Sequence, residues 1–146
     1  MKSNSNNKIM KSILTLLILS SITLISSAQC VSGNCYDGHG RFVWDNGNEY
    51  DGNWEEGKQD GNGNFKFENG DTYKGHYSEG KKSGYGTYTW KSGNRYVGYF
   101  KEDKMSGHGK YHWAKDGGTY EGNFNEDQIV NTETEFSVET PEKGSE

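Results

Sequence analysis

The chain repeats itself every 23 residues, and that period limits what it can fold into more than any other feature. The clearest copy is Tyr73 to Arg95, YKGHYSEGKKSGYGTYTWKSGNR; one period back it lands on Tyr50–Thr72, one period forward on Tyr96. Self-similarity at a fixed period marks a fold of stacked units, each too small to bury its apolar face alone. Numbered from its leading tyrosine, position 1 of the unit is Tyr50, Tyr73, Tyr96 and Tyr120. The last step is 24 residues, with the extra residue in the loop Lys115-Asp116-Gly117-Gly118. Position 3 is Gly52, Gly75, Gly98 and Gly122, and position 5 is Trp54, Tyr77, Phe100 and Phe124. Position 12 is Gly61, Gly84 and Gly107, and position 14 is Gly63, Gly86 and Gly109. Position 16 is Phe65, Tyr88 and Tyr111, and position 18 is Phe67, Trp90 and Trp113. Upstream, Gly38, Gly40, Phe42, Trp44 and Gly47 keep the same register, so a half unit precedes Tyr50.

Even spacing puts positions 1, 3 and 5 on one face of a strand, and 14, 16 and 18 on one face of another. The residues between are mostly polar, such as Asp51 and Asn53, or Thr87 and Thr89. That alternation predicts two half-buried strands per unit. The first ends at EEGK, SEGK or KEDK, with Gly57 and Gly80 at position 8; the second ends at ENGD, KSGN or AKDGG. Glycine and asparagine supply the positive φ that such turns need. Glycines at 3 and 14 leave room for neighbouring rings to lie flat over the backbone. With strands about 4.8 Å apart, the array advances roughly 10 Å per unit and roughly 40 Å in all.

Composition supports this reading. Glycine is 21 of 146 residues with a single proline, which excludes collagen-like chemistry. Hydrophobic content is only 29%, yet 14% of residues are aromatic, too many for a disordered chain. Residues 1–28 differ: Lys2, Lys8 and Lys11, then the mostly apolar run Ile13–Ile25, then Ser26-Ser27-Ala28. This is the pattern of a secretory signal peptide cut after Ala28. The alternatives are an uncleaved anchor, for which the run is short, or a lipoprotein modified at Cys30, for which Gln29 is a poor neighbour. Residues 29–146 then carry 13 basic and 21 acidic side chains, which gives no general attraction to nucleic acid.

The pattern Y-x-G-x-[WYF]-x-x-G-x-x-x-G-x-G-x-[FY] resembles the MORN repeat family over roughly Gly38 to Asp127. Three consecutive copies in register make the resemblance specific. It implies an elongated array of β-hairpins acting as an interaction, scaffolding or membrane-association module. Asp103 in place of the position-8 glycine and the loss of pattern after Asp127 depart from it. The fold class expected is therefore all-β: an elongated single-layer antiparallel meander of repeated β-hairpins, preceded by a signal-peptide helix. The organisation expected is a signal peptide (1–28), a degenerate capping repeat (29–49), repeats 50–72, 73–95, 96–119 and a partial 120–127, and an acidic tail (128–146). Counting back places Cys30 at position 4, Val31 at the aromatic position 5, Asn34 at the turn position 8 and Cys35 at position 9. The cap then reads as a hairpin clamped by a Cys30–Cys35 disulfide. A redox pair, which C-x-x-C spacing would suit better, and free thiols are the alternatives. The tail, with Ile129-Val130 and Phe136-Ser137-Val138 as its only apolar points, is expected to lay a strand along the last sheet edge and to be disordered beyond Pro141.

Two surfaces are candidate sites. Lys74, Lys81, Lys82, Lys91, Arg95, Lys101 and Lys104 concentrate in the middle of the array, where unit 73–95 carries a net +4 between neighbours of −4 and +1. They could meet anionic lipid headgroups or acidic glycans; the plainer reading is a solvated turn edge whose lysines pair with glutamates of the next hairpin. The aromatics Tyr50, Trp54, Tyr73, Tyr77, Trp90, Tyr96 and Trp113 could line a groove for a peptide, glycan or bilayer, or could simply be the core. His39, His76, His108 and His112 lack the neighbours of a metal site, and no nucleophile or phosphate-loop motif is present. The expectation is thus a non-catalytic scaffold without cofactor or metal. Its partner would be a protein or envelope component, or an anionic membrane, and it would be secreted or periplasmic.

Overall fold

A computed structural model describes residues 28–130. They form ten strands: β1 (Gln29–Gly33), β2 (Gly38–Val43), β3 (Glu49–Glu55), β4 (Lys58–Lys66), β5 (Thr72–Ser78), β6 (Lys81–Thr89), β7 (Arg95–Lys101), β8 (Lys104–His112), β9 (Thr119–Asn125) and β10 (Gln128–Val130). All lie in one sheet in sequence order, each antiparallel to the next. The expected all-β meander of hairpins is what the chain forms. The signal-peptide helix and the stretch beyond Pro141 lie outside the described residues, apart from Ala28 at their margin.

From β3 onward, each hairpin turns through two residues with positive φ, for example Glu56 (48°) and Gly57 (76°) between Glu55 and Lys58. That conformation matches the right-handed twist of the flanking strands. Asp103 (70°) and Asp127 (67°) adopt it without glycine. The turns between units close differently: Gly47, Gly70 and Gly93 each donate their N–H to the carbonyl of the position-18 aromatic, Trp44, Phe67 or Trp90. In the last such turn Gly117 donates to Trp113 from one residue further on, which absorbs the inserted residue.

Each second strand carries a bulge at position 12, where Gly61, Gly84 and Gly107 have positive φ and the pairing register shifts. Position 3 pairs with position 14 on both sides, as in Gly52↔Gly63 and Gly63↔Gly75. The third unit keeps the rule, with Gly109 between Gly98 and Gly122. These paired glycines lie beneath a tyrosine ring. A Cβ at Gly63 would collide with the Tyr50 ring, one at Gly86 with the Tyr73 ring and one at Gly109 with the Tyr96 ring. The tyrosine hydroxyls bridge the bulge: Tyr50 donates to the Asn53 carbonyl at 3.0 Å, Tyr73 to that of His76 at 3.1 Å and Tyr96 to that of Tyr99 at 3.0 Å. A single-layer sheet thereby buries Tyr50, Tyr73 and Tyr96 almost completely, at 0%, 1% and 0% exposure. Burial raises the pKa of these phenols, that of Tyr96 to about 12, so they remain neutral donors.

The cap departs from the expected count. Cys30 and Cys35 are joined by a disulfide. However, Gly40, at position 14, pairs with Gly33 at position 7 instead of with position 3. Val31 is exposed and fills no aromatic position. The reason is that residues 27 and 29 offer neither the tyrosine nor the glycine that set the register elsewhere. The turn is instead organised by the Asn34 side chain, which accepts from the N–H groups of Tyr36 and Asp37 at 3.0 Å each. At the far end Gln128–Val130 pairs with β9, so the tail begins as an edge strand; Phe136 and its neighbours lie outside the described residues.

Candidate functional site

Two zigzag rows of rings run along one face. The first alternates positions 1 and 5: Trp54, Tyr50, Tyr77, Tyr73, Phe100, Tyr96, Phe124 and Tyr120. Successive centroids lie 4.9–5.4 Å apart and every pair is edge-to-face. All but Tyr120 are buried. Edge-to-face pairs of this kind add about 0.5–1.5 kcal/mol each beyond their burial. The second row alternates positions 16 and 18: Phe42, Trp44, Phe65, Phe67, Tyr88, Trp90, Tyr111 and Trp113. Its successive centroids are 4.4–5.7 Å apart. Every ring of this row is half-buried.

The two rows divide the aromatic candidates. Tyr50, Trp54, Tyr73, Tyr77 and Tyr96 are core, and of these Tyr77 reaches a hollow, one it shares with Phe65, Phe67 and Lys82. Trp90 and Trp113 stand in the half-exposed row. A hollow of about 430 Å³ opens beside Trp90, lined also by Tyr88, Phe100, Met105 and Lys82, with Asp103, Lys104 and Asp127 at its rim.

Lys82 is the basic candidate that belongs to this surface. Its ammonium lies 4.9 Å from the Tyr88 ring centroid, 5.8 Å from those of Tyr73 and Phe100, and 6.0 Å from that of Phe67. Such cation–π contacts gain strength as the cation loses water. Burial lowers its pKa, and the Asp103 and Asp127 carboxylates work in the opposite direction.

The other basic candidates do not form one patch. Lys81 pairs with Glu102 and Lys104 with Asp127 (2.8 Å) along the hairpin-turn edge, continuing a ladder that starts at Lys58–Glu79. Lys101 ends β7 near that edge. Lys91 lies in the turn at the opposite edge and Arg95 at the adjoining start of β7. Lys74 points to the other face, where it lines a separate cleft. Lys81 and Lys91, or Arg95 and Lys101, are close in sequence yet fall at opposite ends of a strand seven to nine residues long, roughly 20–30 Å apart. A charge total per unit therefore does not describe a patch.

The hairpin edge is tied in two ways that the sequence reading missed. In the first half, Asp37 and Asp60 at position 11 accept the N–H of Glu56 and Glu79 in the next unit, at 2.9 and 3.1 Å. In the second half, position 11 is Ser83 or Ser106, and the carboxylates of Asp103 and Asp127 accept the N–H of Lys82 and Met105, at 2.9 and 2.8 Å. Asp103 is thus a substitute tie between hairpins; the paired change at positions 8 and 11 was its signal. At the opposite edge Asp71 is only 8% exposed. It accepts from Tyr88 Oη and the Lys91 N–H at 2.8 Å and from Asn69 at 3.0 Å. Burial pushes its carboxyl up, but these bonds and the charge of Lys82 outweigh burial and hold it below the usual value.

His108 and His112, on β8, gather no third metal-ligating side chain among the described residues. Compared with curated proteins, the sequence has no significant match. The MORN repeat model matches residues 36–49, 50–72, 73–95 and 96–118, the units whose hairpins, bulges and ring rows recur above. The chain belongs to the MORN repeat family.

Proposed function

We propose that this chain is a non-catalytic interaction module that binds a partner along its second aromatic row. MORN repeats are generally protein- or membrane-interaction modules. The observation carrying the proposal is the half-exposure of eight contiguous rings beside a first row that is almost wholly buried. A continuous apolar strip of this kind is more than scattered surface hydrophobes and marks an interaction surface. The signal pattern at residues 1–28 and the Cys30–Cys35 disulfide support work outside the cytoplasm, secreted or in a periplasm. The partner is then an envelope or extracellular component and not a nucleic acid.

The test uses the chain as bait on a cell-envelope extract, beside a Trp90→Ser, Trp113→Ser variant and a Glu121→Gln control on the other face. The partner should be retained by the wild type and the control and lost by the double variant. Equal recovery on all three baits would sink the proposal. A second reading, docking on an anionic membrane, draws on Lys82 and Lys104 at the margin of the same row. Sedimentation with anionic vesicles that is salt-sensitive and abolished by exchanging Lys81, Lys82 and Lys104 for Glu would favour it. No sedimentation at low salt removes it.

A further inference from the structure

The face opposite the rings holds a cleft of about 560 Å³ that crosses β2 to β6. That size is typical of small-ligand sites. Its floor is backbone at Gly63, Gly75 and Gly86, because the ring side of these residues is filled by tyrosine in place of their own side chains. Its walls are polar: Asn53, Asn62 and Asn64, with His39, Asp51, Lys74, Tyr85 and Thr87.

The asparagines are the informative residues. Asparagine is disfavoured in strands, where its short amide packs poorly. Elsewhere in the array it sits mainly in turns, and its side chain has work there. Asn34, Asn46, Asn48, Asn69 and Asn94 each bond nearby backbone or side-chain groups. The three cleft asparagines are on strands, and among the described residues no hydrogen bond uses their side chains. The bulge at Gly61 brings Asn53 into the group: a Cβ there would lie 3.0 Å from its amide nitrogen. Across the strand pairs, Asn64 stands between Asp51 and Lys74. In later units the place of Asn53 is taken by His76, Tyr99 and Asn123, that of Asn62 by Tyr85 and His108, and that of Asn64 by Thr87 and Lys110. The three amides therefore occur together in one repeat only.

Each amide offers two donors and an acceptor. The cleft holds one carboxylate, Asp51, with the His39 imidazole 3.6 Å from it, and one ammonium, Lys74, a set with no large excess of either charge. Tyr85, 58% exposed at the cleft wall, presents an open ring, backed by Tyr99 at 5.4 Å. Paired donors and acceptors, balanced charge and an exposed ring suit a ligand that is neutral, rich in hydroxyls and apolar on one flat side.

We propose that this cleft binds a neutral oligosaccharide, with Asn53, Asn62 and Asn64 bonding its hydroxyls and Tyr85 stacking on a sugar ring. The proposal stands apart from the aromatic-row reading, since it uses the other face. The test is saturation-transfer NMR on the full chain with cellotetraose, chitotetraose and maltotetraose as neutral probes and a sulfated tetrasaccharide as the charged control. At least one neutral probe should receive magnetisation at millimolar concentration. Asn62→Ala and Asn64→Ala should each weaken that probe about tenfold, the scale of one net hydrogen bond. Both lie on exposed positions, so their melting temperatures should match the wild type. Trp90→Ser should bind the probe normally. Binding of the sulfated probe alone, no transfer from any neutral probe, or binding unchanged by both asparagine variants would each overturn the proposal.

Discussion

The two aromatic rows share one face, one residue chemistry and one period, yet one is core and the other is surface. Glycine makes the difference at position 1, and the position-5 rings are buried edge-to-face between the tyrosines that it lowers. Tyr50, Tyr73 and Tyr96 each have paired glycines beneath them, Gly98 and Gly109 in the last case, and the missing side chains let the ring sink onto the backbone of two strands. Tyr120 has Gly122 alone and stays half-buried. The rings at positions 16 and 18 have no such vacancy and stand up beside their neighbours. A one-layer fold has no second sheet to cover it, so burial is obtained by lowering rings into the sheet. Only the position-1 tyrosines are lowered this way; the position-5 rings pack between them, and the second row stays available for contact. Burial, then, separates the part of the pattern that holds the fold from the part free to serve function.

Truncating one ring from each row tests that division most sharply. Tyr73→Ala should cost about 3–5 kcal/mol, the usual loss for a fully buried aromatic ring. Trp90→Ala should cost less, about 1.5 kcal/mol, because its ring is half solvated before the change. Urea denaturation of both variants measures the gap, and equal losses would mean the rows share one structural role. A smaller effect is expected at the glycine floor. The Cβ introduced by Gly86→Ala should lift the Tyr73 ring and cost about 1–3 kcal/mol, as overpacking generally does. In the same urea denaturation Tyr73→Phe, which spares the ring and loses only the bond to the His76 carbonyl, should be milder than either.

The smallest effect lies where the second row is anchored. Asp71 bonds Tyr88, a ring of that row, and its carboxyl is held below the usual value. A depressed folded pKa means the unfolded chain takes up the proton first as pH falls. The stabilisation from Asp71 is therefore full above its unfolded pKa of about 3.9 and is lost as pH drops through the folded value. Asp71→Asn should lower stability by about 1 kcal/mol at neutral pH, near the worth of one hydrogen bond. Asn48 and Asn94 fill the corresponding place in other units, so the fold should survive the change. The difference from wild type should shrink toward acid pH, and a constant difference would assign it to packing alone.

Much of this was legible in the residues. Even spacing of Tyr50, Gly52 and Trp54 carries the shared face, and the glycine-aromatic period places the hairpins. The cap defeats the count because it lies past the last residues that enforce register: without a tyrosine over glycine, Asn34 and the disulfide choose the pairing of Gly33 with Gly40. The basic cluster dissolves because charge summed along the chain ignores strand length, and β6 separates Lys81 from Lys91 by its full extent. The cleft on the far face is not visible as a group. Asn53 joins Asn62 and Asn64 only through the bulge at Gly61.

The sequence by itself determined the period, the strand faces, the turns and the family, because these depend on local backbone preference and alternation. Tertiary structure decided which rings are core, which lysines meet aromatic rings or carboxylates, and which polar residues share a cleft. Those outcomes depend on strand register and on the depth to which each ring sinks. Both are set between hairpins, by pairings such as Gly63 with Gly75 and Gly109 with Gly122, as much as within any one of them.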